Sequence, residues 1–221
     1  MNFLSHAVCA DGSGDVIFGA TMSDWIETEE IQLSKEITDG RKIHKLQDFL
    51  FNSEPALDPF RKELFNLIRH LYDPVLDLMC DHAVARNWTG LFEENFNDYT
   101  QWLYGIIGSE IGLIKPRRIE MAEFIIDNNV LASYGTEKGL KEGLSRLAQH
   151  SRNGRIVKDN IEGILLIFPE AEPVILGLLP AIYQKSQARL RELRYQPEGR
   201  LHWREGFLSG ETFNRPNPEK R

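Results

Sequence analysis

The stretch LDLMCDHAVARNW, residues 76–88, sets Asp77, Asp81 and His82 inside a run of helix-core residues. The two aspartates stand four apart and share a helix face, with His82 about a third of a turn further round. Burying them costs several kcal/mol unless each carboxylate meets a cation, a donor or a metal. A second i, i+4 series, His44, Asp48 and Asn52, runs along the segment 38–52, offset from its Ile43/Leu46/Leu50 stripe. His6 and Asp24 sit singly in mainly apolar surroundings. An imidazole and several carboxylates converging from different helices suit Mn²⁺, Mg²⁺, Fe or Zn²⁺, and the activation of water at a phosphoryl centre.

Each stretch also has a plainer reading. An Asp and a His four apart on a helix can be a surface pair contributing a few tenths of a kcal/mol. His6 can be a satisfied core or surface histidine, and Asp81-His82 can bond backbone groups at a helix crossing. Spacing alone leaves both readings open.

The elements that must position these residues read as helices. Segment 38–52 carries one buried stripe, and DPFRKELFNLIRHLYD repeats it with Phe60, Leu64, Leu67, Ile68 and Leu71. Asp73-Pro74 reads as an N-cap with proline in the first turn, launching the helix of 76–88. Thr89 is placed to cap the next helix, with Phe92, Phe96, Tyr99 and Leu103 inside. Another is predicted from about Arg117 to Ser133, stopping at Gly135, and Thr136 opens one with Leu140, Leu144 and Leu147 inward. GRIVKD (154–159) is the one β-like run, although Ile156-Val157 can equally begin a helix. The last long helix is predicted over Pro173 to Leu193. Two parts result: a helical unit over 1–193 and an irregular tail over 194–221, in which Trp203 and Phe207 mark a docking point. The fold class is all-α.

Composition narrows the functions. The 221-residue chain carries a formal net charge of −7, the wrong sign for gripping a nucleic-acid backbone. Its two cysteines, Cys9 and Cys80, form no disulfide framework and no metal-ligand spacing. The N-terminus lacks the basic start of a signal peptide. In the most apolar segment, 163–182, Pro169, Glu170, Glu172 and Pro173 are expected to stop either half from spanning a bilayer. The expectation is a cytoplasmic protein with neither a nucleic-acid nor a membrane partner.

Taken in order, MNFLSHAVCA, GATMSDWI, GRKIHKLQDFLFNSEPAL and DLMCDHAVARNW resemble the landmarks of the acyl carrier protein phosphodiesterase family. That family opens with an MNFLAHLHLA-like segment and continues with GNLLGDF and G-x-R-L-H-R-x-I-D-x-F-T-D-x-H-P. A D-x-x-x-D-H-x-L-A-R-x-W helix follows. The likeness covers roughly residues 1–90, with motifs in the same order and at the same internal spacings. His6, Gly19, Asp24, Gly40, His44, Asp48, Asp77, Asp81, His82, Arg86 and Trp88 stand at matching positions. Val8, Asn52 and Glu54 depart from the family's second N-terminal histidine, its F-T-D aspartate and its H-P histidine. Lys45 and Gln47 replace an arginine and an isoleucine.

The resemblance implies an all-α fold similar to the HD-domain phosphohydrolases, with a divalent metal, usually Mn²⁺. It also implies hydrolysis of the phosphodiester that joins 4′-phosphopantetheine to acyl carrier protein. His6, His44, Asp48, Asp81 and His82 are the expected metal ligands. Asp24 and Asp77 are the expected general base or ligand orienter, in either order. Arg41, Lys45 and Arg86 are expected to contact substrate, and the KPRR run at 115–118 is either a docking patch for an acidic partner or a solvated helix start. Two further readings fit the departures: a metal-dependent hydrolase of a small phosphoester or nucleotide, and a non-catalytic relative that binds a carrier protein.

Overall fold

The computed structural model describes residues 1–28, 31–196, 200–204 and 206–208. The helical periodicity becomes α1 (Phe3–Ala10), α2 (Gly14–Thr21), α3 (Lys35–Asn52), α4 (Asp58–Ile68), α5 (Tyr72–Arg86) and α6 (Trp88–Leu91). It continues through α7 (Phe96–Ser109), α8 (Pro116–Asp127), α9 (Val130–Ser133), α10 (Glu137–His150), α11 (Arg155–Asp159) and α12 (Ile161–Glu192). Among the described residues there is no strand, only two isolated bridges, Ile26 with Ile114 and Phe92 with Trp203. The all-α expectation agrees with this.

α1 is a core helix: every residue from Leu4 to Ala10 is buried, and α2, α3, α5 and α12 surround it. The α2–α3 crossing explains two glycines. A Cβ on Gly19 would lie 2.2 Å from the carbonyl oxygen of Ile37, and one on Gly40 2.2 Å from that of Val16. Only hydrogen lets the two backbones approach so closely.

Several local expectations are corrected. α12 runs unbroken through Pro169, Pro173 and Pro180. Pro169 and Pro173 lie on its exposed side, where water can satisfy the carbonyls that lose an N–H partner. Its opposite stripe, from Ile164 through Phe168, Ile175 and Leu179 to Leu190, is buried. By length and composition α12 could cross a membrane, so the prolines do not interrupt it as expected; here that stripe packs on α1, α3, α4 and α5. Asp73 does not cap α5, because Arg69–Leu71 already form a 3₁₀ turn that runs straight into Tyr72. Asn95, not Thr89, caps α7, accepting from the Asn97 and Asp98 N–H groups. The helix expected over 117–133 divides into α8 and α9 at Asn129, whose φ of 49° is left-handed, a conformation asparagine tolerates. GRIVKD forms α11, not a strand.

Thr136 caps α10 as the spacing predicts. Trp203 docks between Phe92 and Tyr183, at ring-centroid distances of 4.5 and 5.1 Å, with Phe207 stacked on it at 5.4 Å. The rest of the expected tail, 197–199, 205 and 209–221, lies outside the described residues.

Candidate metal centre

His6 from α1 meets His44 and Asp48 from α3. One ligand atom of each lies within 4.8 Å of the other two, and the imidazole centroids are 4.2 Å apart. His44 Nε2 is 3.1 Å from Asp48 Oδ2, and His6 Nε2 is 3.2 Å from Asp48 Oδ1. The i, i+4 spacing stacks His44 under Asp48 on one face, and the glycine crossing brings α2 close enough to hold the ring. His44 Nδ1–H donates to the Ala20 carbonyl at the end of α2 (2.9 Å). Asp24, just beyond α2, reaches 3.6 Å from His44 Nε2 while its side chain stays 82% exposed.

His6 is fixed by a residue from the same helix as His44. Gln47 Oε1 lies 2.6 Å from His6 Nδ1, while Gln47 Nε2 donates to the His6 carbonyl and to Ser186 Oγ. The amide nitrogen being committed to two acceptors, its oxygen must accept, so His6 Nδ1 carries the proton. Burial pulls the His6 imidazole down to about 4, the Asp48 hydrogen bond only partly opposing it. A neutral His6 therefore turns a bare Nε2 lone pair toward Asp48 Oδ1 and the Met1 carbonyl oxygen, 3.1 Å away. Such a convergence of electron-rich atoms is relieved by a cation between them. Both rings have Nδ1 engaged and Nε2 inward, the arrangement in which a partner on the far nitrogen orients a metal-ligating histidine. The donor set fits a divalent ion.

The charges around the group are strongly coupled. Burial lowers the His44 imidazole, but Asp24 and Asp48 outweigh it and lift it to about 9. Burial pushes Asp48 up, yet the hydrogen bond from His44 and the neighbouring Met1 ammonium hold it well below the usual carboxylate range. Asp24 is lowered by its hydrogen bond to His44. The Met1 amino group bonds Asp48 Oδ1 (3.2 Å) and Asp77 Oδ1 (2.6 Å), and burial raises the Asp77 carboxyl to about 6 against that cation.

Other residues expected at the centre are engaged elsewhere. Asp81 accepts from the Leu4 N–H (3.1 Å), the Ser5 N–H (2.8 Å) and Ser5 Oγ–H (2.7 Å), so its carboxylate sits on the N-terminus of α1. His82 Nδ1 bonds the Tyr134 carbonyl, and its ring packs on Phe168 at 4.5 Å. Arg86 lies nine residues beyond Asp77, about 13 Å along the helix axis, 3.7 Å from Glu172 and over Phe168. Asp81 and His82 are thus outside the His6/His44/Asp48 group, and Arg86 points to α12.

Arg41 and Lys45 flank His44 on α3, Lys45 exposed and Arg41 with a buried Nε lacking a hydrogen-bond partner. The KPRR run opens α8 beside Asp24: Lys115 Nζ donates to the Asp24 carbonyl (2.9 Å), and Arg118 lies 5.3 Å over the Trp25 ring. Three of the departures stand outside the group. Val8 is buried in the core, Asn52 is exposed at the end of α3, and Glu54 accepts from the Ala56 N–H. Gln47, noted in the sequence only as a departure, is the residue the motifs undervalue. Its signal is a polar side chain in the otherwise apolar i, i+4 stripe Ile43, Gln47, Phe51.

The described residues thus bring two oriented imidazoles and a carboxylate together at one point of a helical scaffold. The chain belongs to the acyl carrier protein phosphodiesterase family, whose profile matches residues 1–167. A Photorhabdus laumondii protein called acyl carrier protein phosphodiesterase is 29% identical over 92 residues, 41% of this chain and 46% of the relative. A Pectobacterium atrosepticum protein of the same name is also 29% identical, over 41% of this chain and 48% of its own length. The chain thus spans about half the length of these two relatives. A Yersinia enterocolitica protein of that name is 20% identical over 189 residues, 85% of this chain and 98% of the relative. No solved structure matches the chain.

Proposed function

We propose that the protein is a divalent-metal-dependent phosphodiesterase acting on holo-acyl carrier protein, releasing 4′-phosphopantetheine. The observation that carries this reading is the His6/His44/Asp48 group, with each Nδ1 bonded and each Nε2 directed inward. His6 Nε2, His44 Nε2 and Asp48 would hold the ion, Mn²⁺ in the resemblance, which supplies Lewis acidity at the phosphoryl oxygens and a lowered pKa for its bound water. The three ligands come from helices packed on one another, as in a scaffold of the HD-domain kind.

The chain's own residues do the rest. Asp24, held ionised beside His44 and open to solvent, accepts the proton of the attacking water. Asp77 acts at one remove, fixing the Met1 amino group that in turn bonds Asp48. Arg41 and Lys45 meet the phosphate. Lys115, Arg117 and Arg118 at the rim give an acidic carrier protein a local basic face on a chain of net charge −7.

The test is release of phosphopantetheine from holo-acyl carrier protein with added Mn²⁺, beside a panel of small phosphodiesters. Turnover of the carrier protein that is lost in Asp48→Asn is expected. Turnover of the panel alone moves the activity to a small phosphoester, and a folded protein inactive on both is the non-catalytic relative.

A further inference from the structure

We propose that a cleft beside the candidate centre seats the pantetheine arm of the substrate, the flexible, amide-bearing chain attached to the phosphate. This rests on the phosphodiesterase reading above. The cleft, of about 230 Å³, lies where the start of α1 meets α5, α8, α9 and α10. Two of its wall residues belong to the centre's surroundings. Asp77 bonds the Met1 amino group that also bonds Asp48, and Trp25 follows Asp24 in the chain. At Asp77 the cleft is thus two hydrogen bonds, through the Met1 amino group, from Asp48.

The walls match the arm's chemistry. Leu78, Ile125 and Leu147 offer apolar contact to methyl and methylene groups. Arg146 lines the same cleft, and its Nη2 is buried with no hydrogen-bond partner. A buried donor without an acceptor costs free energy, and an amide carbonyl in the cleft satisfies it. Arg118, stacked on Trp25 at the end nearer Asp24, faces the phosphate. A plain hydrocarbon chain would leave Arg146 Nη2 unmet, whereas an arm with amides answers both the apolar walls and that one donor.

The test uses Leu147→Trp, which narrows the cleft from a half-buried position, and Arg146→Met, which keeps the bulk and removes the donor. Each is assayed on holo-acyl carrier protein and on bis(p-nitrophenyl) phosphate, a diester without the arm, with unfolding followed in parallel. The expected result is KM for the carrier protein raised about tenfold or more, with the armless diester turned over within about twofold of wild type. Equal losses on both substrates, or no loss on the carrier protein, overturn the proposal. If the wild-type protein hydrolyses neither diester, the phosphodiesterase reading fails by itself and calorimetric titration with 4′-phosphopantetheine decides the cleft. Saturable binding weakened about tenfold in Leu147→Trp supports it; no binding, or equal binding in both proteins, overturns it.

Discussion

Asp81→Asn separates a helix anchor from a metal ligand. In the wild-type protein one carboxylate oxygen takes the Ser5 N–H and hydroxyl, and the other takes the Leu4 N–H. Asparagine keeps a single acceptor oxygen. With that oxygen on Ser5, its NH₂ faces the Leu4 N–H, leaving a buried donor unmet at about 1–3 kcal/mol. Loss of the charge at the start of α1 adds roughly 0.5–1 kcal/mol. Release from burying a carboxylate, which burial lifts to about 6, offsets part of this. The net expectation is about 2–3 kcal/mol of destabilisation. At roughly 2–4 °C per kcal/mol for a chain of this size, Tm falls by about 4–12 °C. Differential scanning calorimetry measures that loss, and titration of the folded variant with Mn²⁺ measures the site. Mn²⁺ affinity within about threefold of wild type is expected. An unchanged Tm together with abolished Mn²⁺ binding would refute the reasoning and make Asp81 a ligand.

Gly40→Ala drives a methyl into the Val16 carbonyl and should destabilise by about 3 kcal/mol, read as a lower urea midpoint at unchanged m; a neutral effect would mean that the α2–α3 crossing is looser than described. Gln47→Ile removes the acceptor for His6 Nδ1 and should weaken Mn²⁺ binding about 10- to 100-fold while the helical circular dichroism spectrum is retained. Asp39 is buried between Lys35 and Lys42, which outweigh its desolvation and hold its carboxyl below its ordinary value. A depressed carboxyl contributes stability that is complete above the unfolded value near 3.8 and lost as pH falls through the folded one. Asp39→Asn should therefore flatten the acid limb of the stability–pH curve below about pH 4, and an unaltered limb contradicts the pairing.

The sequence made the helical scaffold legible because its apolar stripes are periodic, as in Ile43, Leu46 and Leu50 of α3, and because Thr136 is a local cap. Local rules treat a proline as a breaker, so the sequence predicts an interruption at Pro169 and Pro173 that α12 does not show. Whether a proline breaks a helix depends on whether water reaches the freed carbonyl, and that is set by packing. The His44/Asp48 face followed from spacing, but its meeting with His6 did not, since two glycines and an intervening loop decide the approach of α1, α2 and α3. Asp81 and His82 stand in the same ordered motifs as His6, His44 and Asp48. Only the tertiary placement of the α1 N-terminus beside Asp81, and of the Tyr134 carbonyl beside His82, reveals the hydrogen-bond partners that these two residues have. Gln47 was legible as an oddity and became a positioning residue only once Ser186 of α12 was beside it.

His6, His44 and Asp48 are expected to form one divalent-cation site. Calorimetric titration of the purified, chelator-treated protein with Mn²⁺, repeated on Asp48→Asn and Asp81→Asn, tests it most directly. The expected result is saturable binding at about one ion per chain, lost in Asp48→Asn and kept in Asp81→Asn. Absence of saturable binding in the wild-type protein, or loss in Asp81→Asn with retention in Asp48→Asn, would contradict it.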